Sequence, residues 1–280
     1  MSDAQSNHFS GLGVWVALFL AGCSLCVFIT KLPSRQESEK NAMQSWITAQ
    51  SSSSPEPIVV ALGTSLTGSG LDSTEVLQKM IAEKSGRPVR VLKIWRLDAG
   101  PATYDSLLPA LVQLRPSVVV IEANMLFYSF SKKKGWPAYV QRFRDFVNNK
   151  KEQYSPDSKP LVLKRHLSEM ETFRSGLIDT GQLVAFTKLL AGWQKEGARL
   201  VLFNFPLEAS LEIKKWSSAD TVSFFRNLHF IERHCRIEFI DAKMRLDETN
   251  FIDHAHMNEH GQLKQSLLFC NLVTRQLAYP

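Results

Sequence analysis

The chain has 280 residues, 44% hydrophobic and 21% charged, with a formal net charge of +6. That balance is ordinary for a globular protein, and no internal repeat points to a solenoid. The charge is modest and no recognition motif accompanies it, so nucleic acid is not expected as a partner.

Residues 1–10 read as a short tail. Gly11 to Thr30 is a run of twenty residues without a charge, long enough to cross a bilayer as a helix. It is read as a transmembrane anchor or signal segment. Residues 31–56 are mostly polar, include Ser51-Ser52-Ser53-Ser54-Pro55, and read as a linker. Leu20-Ala21-Gly22-Cys23 also resembles a lipobox, which would make Cys23 a lipidated N-terminus. Against that, the apolar run continues through Ile29 and no Lys or Arg precedes it, so an uncleaved anchor is expected. Lys31, Arg35 and Lys40 follow the run, and positive-inside counting alone would place the following domain in the cytoplasm.

Removing the N-terminal segment leaves about 220 residues, enough for one sizeable α/β domain. Ile58 to Leu62 is a continuous apolar run and reads as a buried strand leading into Gly63-Thr64-Ser65. A helix is expected over 73–85, where Val76, Leu77, Met80 and Ile81 recur at helical spacing. Val89 to Trp95 is a second strand, followed by Gly100. A helix is expected over 104–114, kinked or delayed by Pro109 and ended by Pro116. Ser117 to Asn124 is a third strand. Residues 131–180 read as a basic insertion, with a helix over 138–150. From Ser131 to Arg165, ten Lys or Arg stand against three Asp or Glu. Such a run is ordinarily a solvated face; its sharper reading is a surface for lipid headgroups or an acidic polymer. A helix over 182–196, a strand over 199–205, a helix over 221–234, a strand over 237–240 and a closing helix over 261–277 complete the order. Strands alternating with helices predict a three-layer α/β/α fold with a mostly parallel sheet, preceded by one N-terminal transmembrane helix.

Chemistry gathers at the strand ends, where such sheets form their sites. Ser65 stands just after a strand and a turn-permitting glycine, placed for nucleophilic attack. Its bland reading is a helix cap. Near the other end, Asp253 precedes His256 by three residues. A carboxylate there can fix one imidazole nitrogen and leave the other free as a base. Thr67 and Ser69 are lesser nucleophile candidates. His254, His256 and His260 could suggest a metal, but no helical His-Glu-x-x-His pattern is present. No metal or cofactor is therefore expected. Cys235 and Cys270 could be plain buried thiols or one disulfide.

Gly63-Thr64-Ser65 and Asp253-His254-Ala255-His256 together resemble the first and last blocks of the SGNH (GDSL-type) hydrolase family, with Thr64 where that family usually has Asp. The family's glycine after the second strand and asparagine after the third are matched by Gly100 and Asn124. The resemblance covers residues 57–280 and implies a catalytic triad of Ser65, His256 and Asp253. It also implies an oxyanion hole formed by the amides of Ser65 and Gly100 and the side chain of Asn124. Glu122 shares the side of the strand on which Asn124 lies and receives no role. The resemblance further implies a membrane-anchored serine esterase or O-acyltransferase. It would act on acyl groups, acetyl foremost, of a cell-surface polysaccharide, on the periplasmic or extracellular side, with a membrane-bound acyl-donor protein as a partner. This conflicts with the positive-inside count, and export is the expectation. The alternatives are a lipid or small-ester hydrolase with the same triad, and a non-catalytic polysaccharide-binding or assembly subunit.

Overall fold

Strands covered on both faces are apolar without interruption, and β1 (Ile58–Gly63) is buried at all six positions. The structure is a computed structural model that describes residues 7–31, 35–51, 55–96, 99–127, 155–157, 178, 180–216, 218–243, 245–253 and 255–278. It divides into two compact units, Met1–Ala42 with Ser131–Gln153, and Met43–Phe130 with Tyr154–Pro280.

In the first unit Asn7–Lys31 is a single helix. Val14, Trp15, Val16, Leu18, Phe19 and Leu20 are all exposed on it. Its described side chains run only from Gly13 to Ser24 with Val27 and Phe28, and among the described residues no helix is long and apolar enough to cross a membrane. The helix expected over 138–150 lies outside the described residues, as does most of the insertion.

In the second unit five strands form one parallel sheet: β1, β2 (Arg90–Trp95), β3 (Val118–Glu122), β4 (Arg199–Asn204) and β5 (Ile237–Asp241), in the order β2-β1-β3-β4-β5. Side chains alternate between two cores. Val60, Leu62, Val119, Ile121, Leu200 and Leu202 face one layer, with Tyr104, Phe186 and Trp193 from its helices. Val59, Ala61, Val118, Val120, Val201 and Phe203 face the other, with Leu77, Ile81, Phe269 and Val273. The first layer holds the helices Pro101–Asp105, Leu108–Leu111, Thr180–Lys195 and Ser218–Glu232. The second holds Thr74–Ser85 and the closing helix Glu259–Ala278. The chain runs from β1 outward to β2 and then crosses back to β3 on the other side of β1. That reversal opens a crevice beyond the carboxyl ends of β1 and β3, the usual place for a site in such a sheet.

Three elements differ from their sequence-based expectation. Residues 31–56, read as a linker, contain the helix Arg35–Gln50, and its Met43 and Ile47 are 1% and 0% exposed in the first core. Met43 and Ile47, four apart, lie on one stripe of this mostly polar helix, and the partly buried Trp46 packs beside them against the same core. The helix expected over 104–114 is two short ones, because Pro101 and Pro109 each lie in a first helical turn, where the missing N–H costs nothing. A helix not foreseen, Ala209–Lys215, follows β4. Cys235 and Cys270 are buried, unpaired thiols. Burial pushes them up to about 11 and about 12 respectively.

Candidate active site

β1 ends at Gly63, where the backbone is crowded from both sides. A Cβ there would lie 2.1 Å from Thr67 Oγ1 and 2.5 Å from Glu122 Oε2, so only glycine fits. Arg96 N–H (3.1 Å) and the buried Tyr104 hydroxyl (2.8 Å) both donate to its carbonyl. Thr64 turns the chain and caps the short helix Ser65–Gly68, its hydroxyl accepting from Leu66 N–H at 3.3 Å. Ser65 therefore stands first in a helical turn at the mouth of the crevice, half-buried.

The base arrives from a loop between β5 and the closing helix. Phe251 and Met257 form an isolated antiparallel bridge, and Ile252 N–H donates to His256 O at 2.9 Å, closing residues 251–257 on themselves. Inside the loop Asp253 Oδ1 accepts from the backbone N–H groups of Ala255 (2.8 Å) and His256 (2.6 Å). Its Oδ2 lies 2.8 Å from His256 Nδ1. Burial pushes the Asp253 carboxyl up, but the hydrogen bonds from the His256 side chain, His256 N–H and Ala255 N–H outweigh it. The group is held below its ordinary range and stays charged at neutral pH. An ionised carboxylate only accepts, so the imidazole proton sits on Nδ1 and Nε2 is left as the acceptor. Ser65 Oγ lies 3.1 Å from that Nε2 and donates to it. Ser65, His256 and Asp253, expected as a triad from residues 191 apart in sequence, are joined in that order.

The closing helix carries this loop to the nucleophile. Gln262 Nε2 donates to the carbonyls of Ser69 (3.0 Å) and Leu71 (3.1 Å), and Gln265 Nε2 to that of Leu66 (3.1 Å). Ser266 Oγ accepts from Asp72 N–H at 2.8 Å. Gly261 lets the helix start against the loop, since a Cβ there would lie 2.1 Å from Asn250 O. Behind the turn, the buried Lys93 amino group donates to the carbonyls of Gly68, Leu71 and Asp72 and pairs with Asp157 at 3.2 Å. Burial lowers the Lys93 pKa, and Asp157 offsets this only in part. Gln262, Gln265, Ser266 and Lys93 carried no signal in the sequence, because each is a polar residue whose partners lie in distant segments.

The oxyanion candidates fare unequally. Ser65 N–H, first in its helix, has no acceptor within that helix. Asn124 is buried in the 3₁₀ turn Ala123–Leu126 just after β3. Its Nδ2 gives one hydrogen to Glu122 Oε1 at 3.1 Å and keeps a second for another acceptor. Gly100 caps the helix Pro101–Asp105, and its N–H donates to Thr103 Oγ1 at 3.2 Å. The Gly100 amide is therefore already engaged in its own turn. His260 is exposed in the first turn of the closing helix, and His254 lies outside the described residues. Among the described residues no group of three or more His, Cys, Asp or Glu could hold a metal ion.

No family model and no curated protein matches the chain. Several solved structures are distantly similar. A GDSL-like lipase from Bacteroides thetaiotaomicron is 11% identical over 84% of this chain and 98% of its own, with a TM-score of 0.43. A family two carbohydrate esterase from Clostridium thermocellum, in complex with cellohexaose, is 12% identical over 80% of this chain and 66% of its own, with a TM-score of 0.42. A lipase from a goat rumen metagenome is 14% identical over 78% of this chain and 97% of its own, with a TM-score of 0.39.

Proposed function

We propose that this chain is an SGNH-type serine acyl-ester enzyme, and the observation that carries the reading is the linked order Ser65 Oγ, His256, Asp253. A serine hydroxyl is a weak nucleophile at neutral pH and needs a base at hydrogen-bond distance. Ser65 Oγ attacks the ester carbonyl carbon as its proton passes to His256 Nε2. Asp253 then faces a cationic imidazole and stabilises it. The carbonyl oxygen becomes an anion beside Ser65 N–H and the second Asn124 N–H. For Gly100 N–H to join them it must exchange Thr103 Oγ1 for the oxyanion. The intermediate collapses, His256 gives its proton to the departing alkoxide, and an acyl-Ser65 remains. Water or a sugar hydroxyl next attacks the acyl carbon as its proton passes to His256. The acyl–Oγ bond then breaks, His256 returns that proton to Ser65 Oγ, and the free acid or the new ester leaves.

The finer reading is an enzyme tethered by residues 11–30 to the cytoplasmic membrane, with its domain outside the cytoplasm. There it removes or transfers acetyl groups on a cell-surface polysaccharide, supplied by a membrane-bound donor. What supports this is the twenty-residue uncharged run, the single helix Asn7–Lys31, and the resemblance of the sequence blocks. A fluorophosphonate probe is expected to label the purified protein once, on the peptide bearing Ser65. No label, or label elsewhere, removes the serine mechanism. A reporter fused after Pro280 is expected to be active outside the cytoplasm. A cytoplasmic signal would overturn the localisation in favour of the Lys31, Arg35 and Lys40 count.

A further inference from the structure

Glu122, the last residue of β3, is fully buried at 0% exposure. Val118 and Val120 precede it on the same face and pack in the second core. An apolar residue would therefore satisfy that position if packing were all it had to do. Instead a carboxylate is buried, and among the described residues no Lys, Arg or His pairs with it. Desolvating such a group is costly unless hydrogen bonds replace the water.

Five donors replace it, and all come from the site. Glu122 Oε2 accepts from Thr64 N–H (2.7 Å), Thr67 N–H (3.2 Å) and the Thr67 hydroxyl (2.8 Å). Oε1 accepts from the Thr64 hydroxyl and from Asn124 Nδ2 at 3.1 Å. Thr64 and Thr67 bracket Ser65, so the carboxylate holds the turn on both sides of the nucleophile and leaves Ser65 N–H unclaimed. It also sets which way the Asn124 amide faces. Turning that amide over would place Asn124 Oδ1 against Glu122 Oε1, acceptor on acceptor. Among the described residues Asn124 Oδ1 is buried without a partner, so Glu122 is what orients this side chain. The bare Cα of Gly63 opens the path, since a Cβ there would lie 2.7 Å from Glu122 Cβ.

We propose that Glu122 is a positioning residue that locks the nucleophile turn and the Asn124 amide into one unit. The catalytic part of this rests on the serine-enzyme reading above. Glu122→Gln tests it with almost no change of volume. One of its two polar atoms becomes an NH₂ that must face donors, so no orientation satisfies all five. The wild type, Glu122→Gln and Val120→Ala would be compared by fluorophosphonate titration, p-nitrophenyl acetate kinetics and backbone amide exchange by NMR. Val120→Ala is the control for plain loss of packing, from the same strand face outside the site.

In Glu122→Gln we expect kcat per titrated site to fall roughly 100-fold, the scale of a lost oxyanion donor, with KM changed less than about threefold. Exchange at Thr64 and Thr67 N–H should quicken by about tenfold or more. Val120→Ala should lower the melting temperature and leave kcat per titrated site alone. Unchanged exchange at both threonines, or a Glu122→Gln kcat per site within about twofold of wild type, overturns the proposal. A wild type that does not react with the probe removes the serine-enzyme reading instead, and the exchange rates still decide whether Glu122 holds the turn.

Discussion

Ser65→Ala abolishes ester hydrolysis, with kcat/KM for p-nitrophenyl acetate falling by on the order of 10⁴ or more, and leaves the fold intact. The size follows from the position of the hydroxyl. Ser65 Oγ makes one described contact, to His256 Nε2 at 3.1 Å. Nothing structural hangs from that oxygen, because the turn is held by Thr64, Thr67 and Gly63 instead. Removing it loses one partly exposed hydrogen bond, worth about 1 kcal/mol of stability or less. It removes the whole covalent route. The lesser candidates cannot substitute. The Thr67 hydroxyl is buried and committed to Glu122, and the Ser69 hydroxyl donates to Ser65 O at 2.7 Å. A variant keeping more than about a tenth of the activity would sink the role of Ser65.

The sheet was legible because its strands are mostly apolar in short runs bounded by Gly, Pro or polar residues, although β2 includes the buried Lys93 and β5 the exposed Glu238. A strand buried on both faces shows that composition whatever surrounds it. Ser65 and Asn124 were legible for the same reason, as polar residues placed where such runs stop. His256 was legible through the Asp253 spacing, and the loop that bridges Phe251 to Met257 is what makes that spacing productive. What stayed hidden depends on contacts between distant segments. Met43 and Ile47 sit in a polar stretch, and their burial follows from a groove that only the folded domain provides. Gln265 and Ser266 look like the solvent face of the closing helix, yet both are fully buried against the nucleophile turn. Glu122 is the clearest case. Period two places it on a strand face, but its role requires donors from residues 55 and 58 positions away. Thr64, standing where the family that the sequence blocks resemble usually has Asp, also becomes intelligible there. A hydroxyl can donate to Glu122, whereas a second carboxylate would oppose it.

His256→Ala abolishes fluorophosphonate labelling of Ser65 and esterase activity together, while His260→Ala reduces either by less than about tenfold. His256 holds the only imidazole nitrogen within reach of Ser65 Oγ among the described residues. His260 is exposed on the first turn of the closing helix and makes no contact with Ser65 among the described residues. Asp253→Asn is expected to be severe but less complete, on the order of 10² to 10⁴ in kcat/KM. Asp253 uses one oxygen for two backbone N–H groups and the other for His256 Nδ1. An asparagine must either turn its NH₂ toward those amides and loosen the loop, or turn it toward Nδ1. In the second case Nδ1 becomes the acceptor and the proton moves to Nε2, which then points a hydrogen at Ser65 instead of accepting one. The base survives in the wrong tautomer, and a small population of the right one carries the residual rate. Activity in Asp253→Asn equal to wild type would show that the carboxylate does not orient the imidazole. Loss in His260→Ala as deep as in His256→Ala would move the base to the helix and break the Asp-x-x-His assignment.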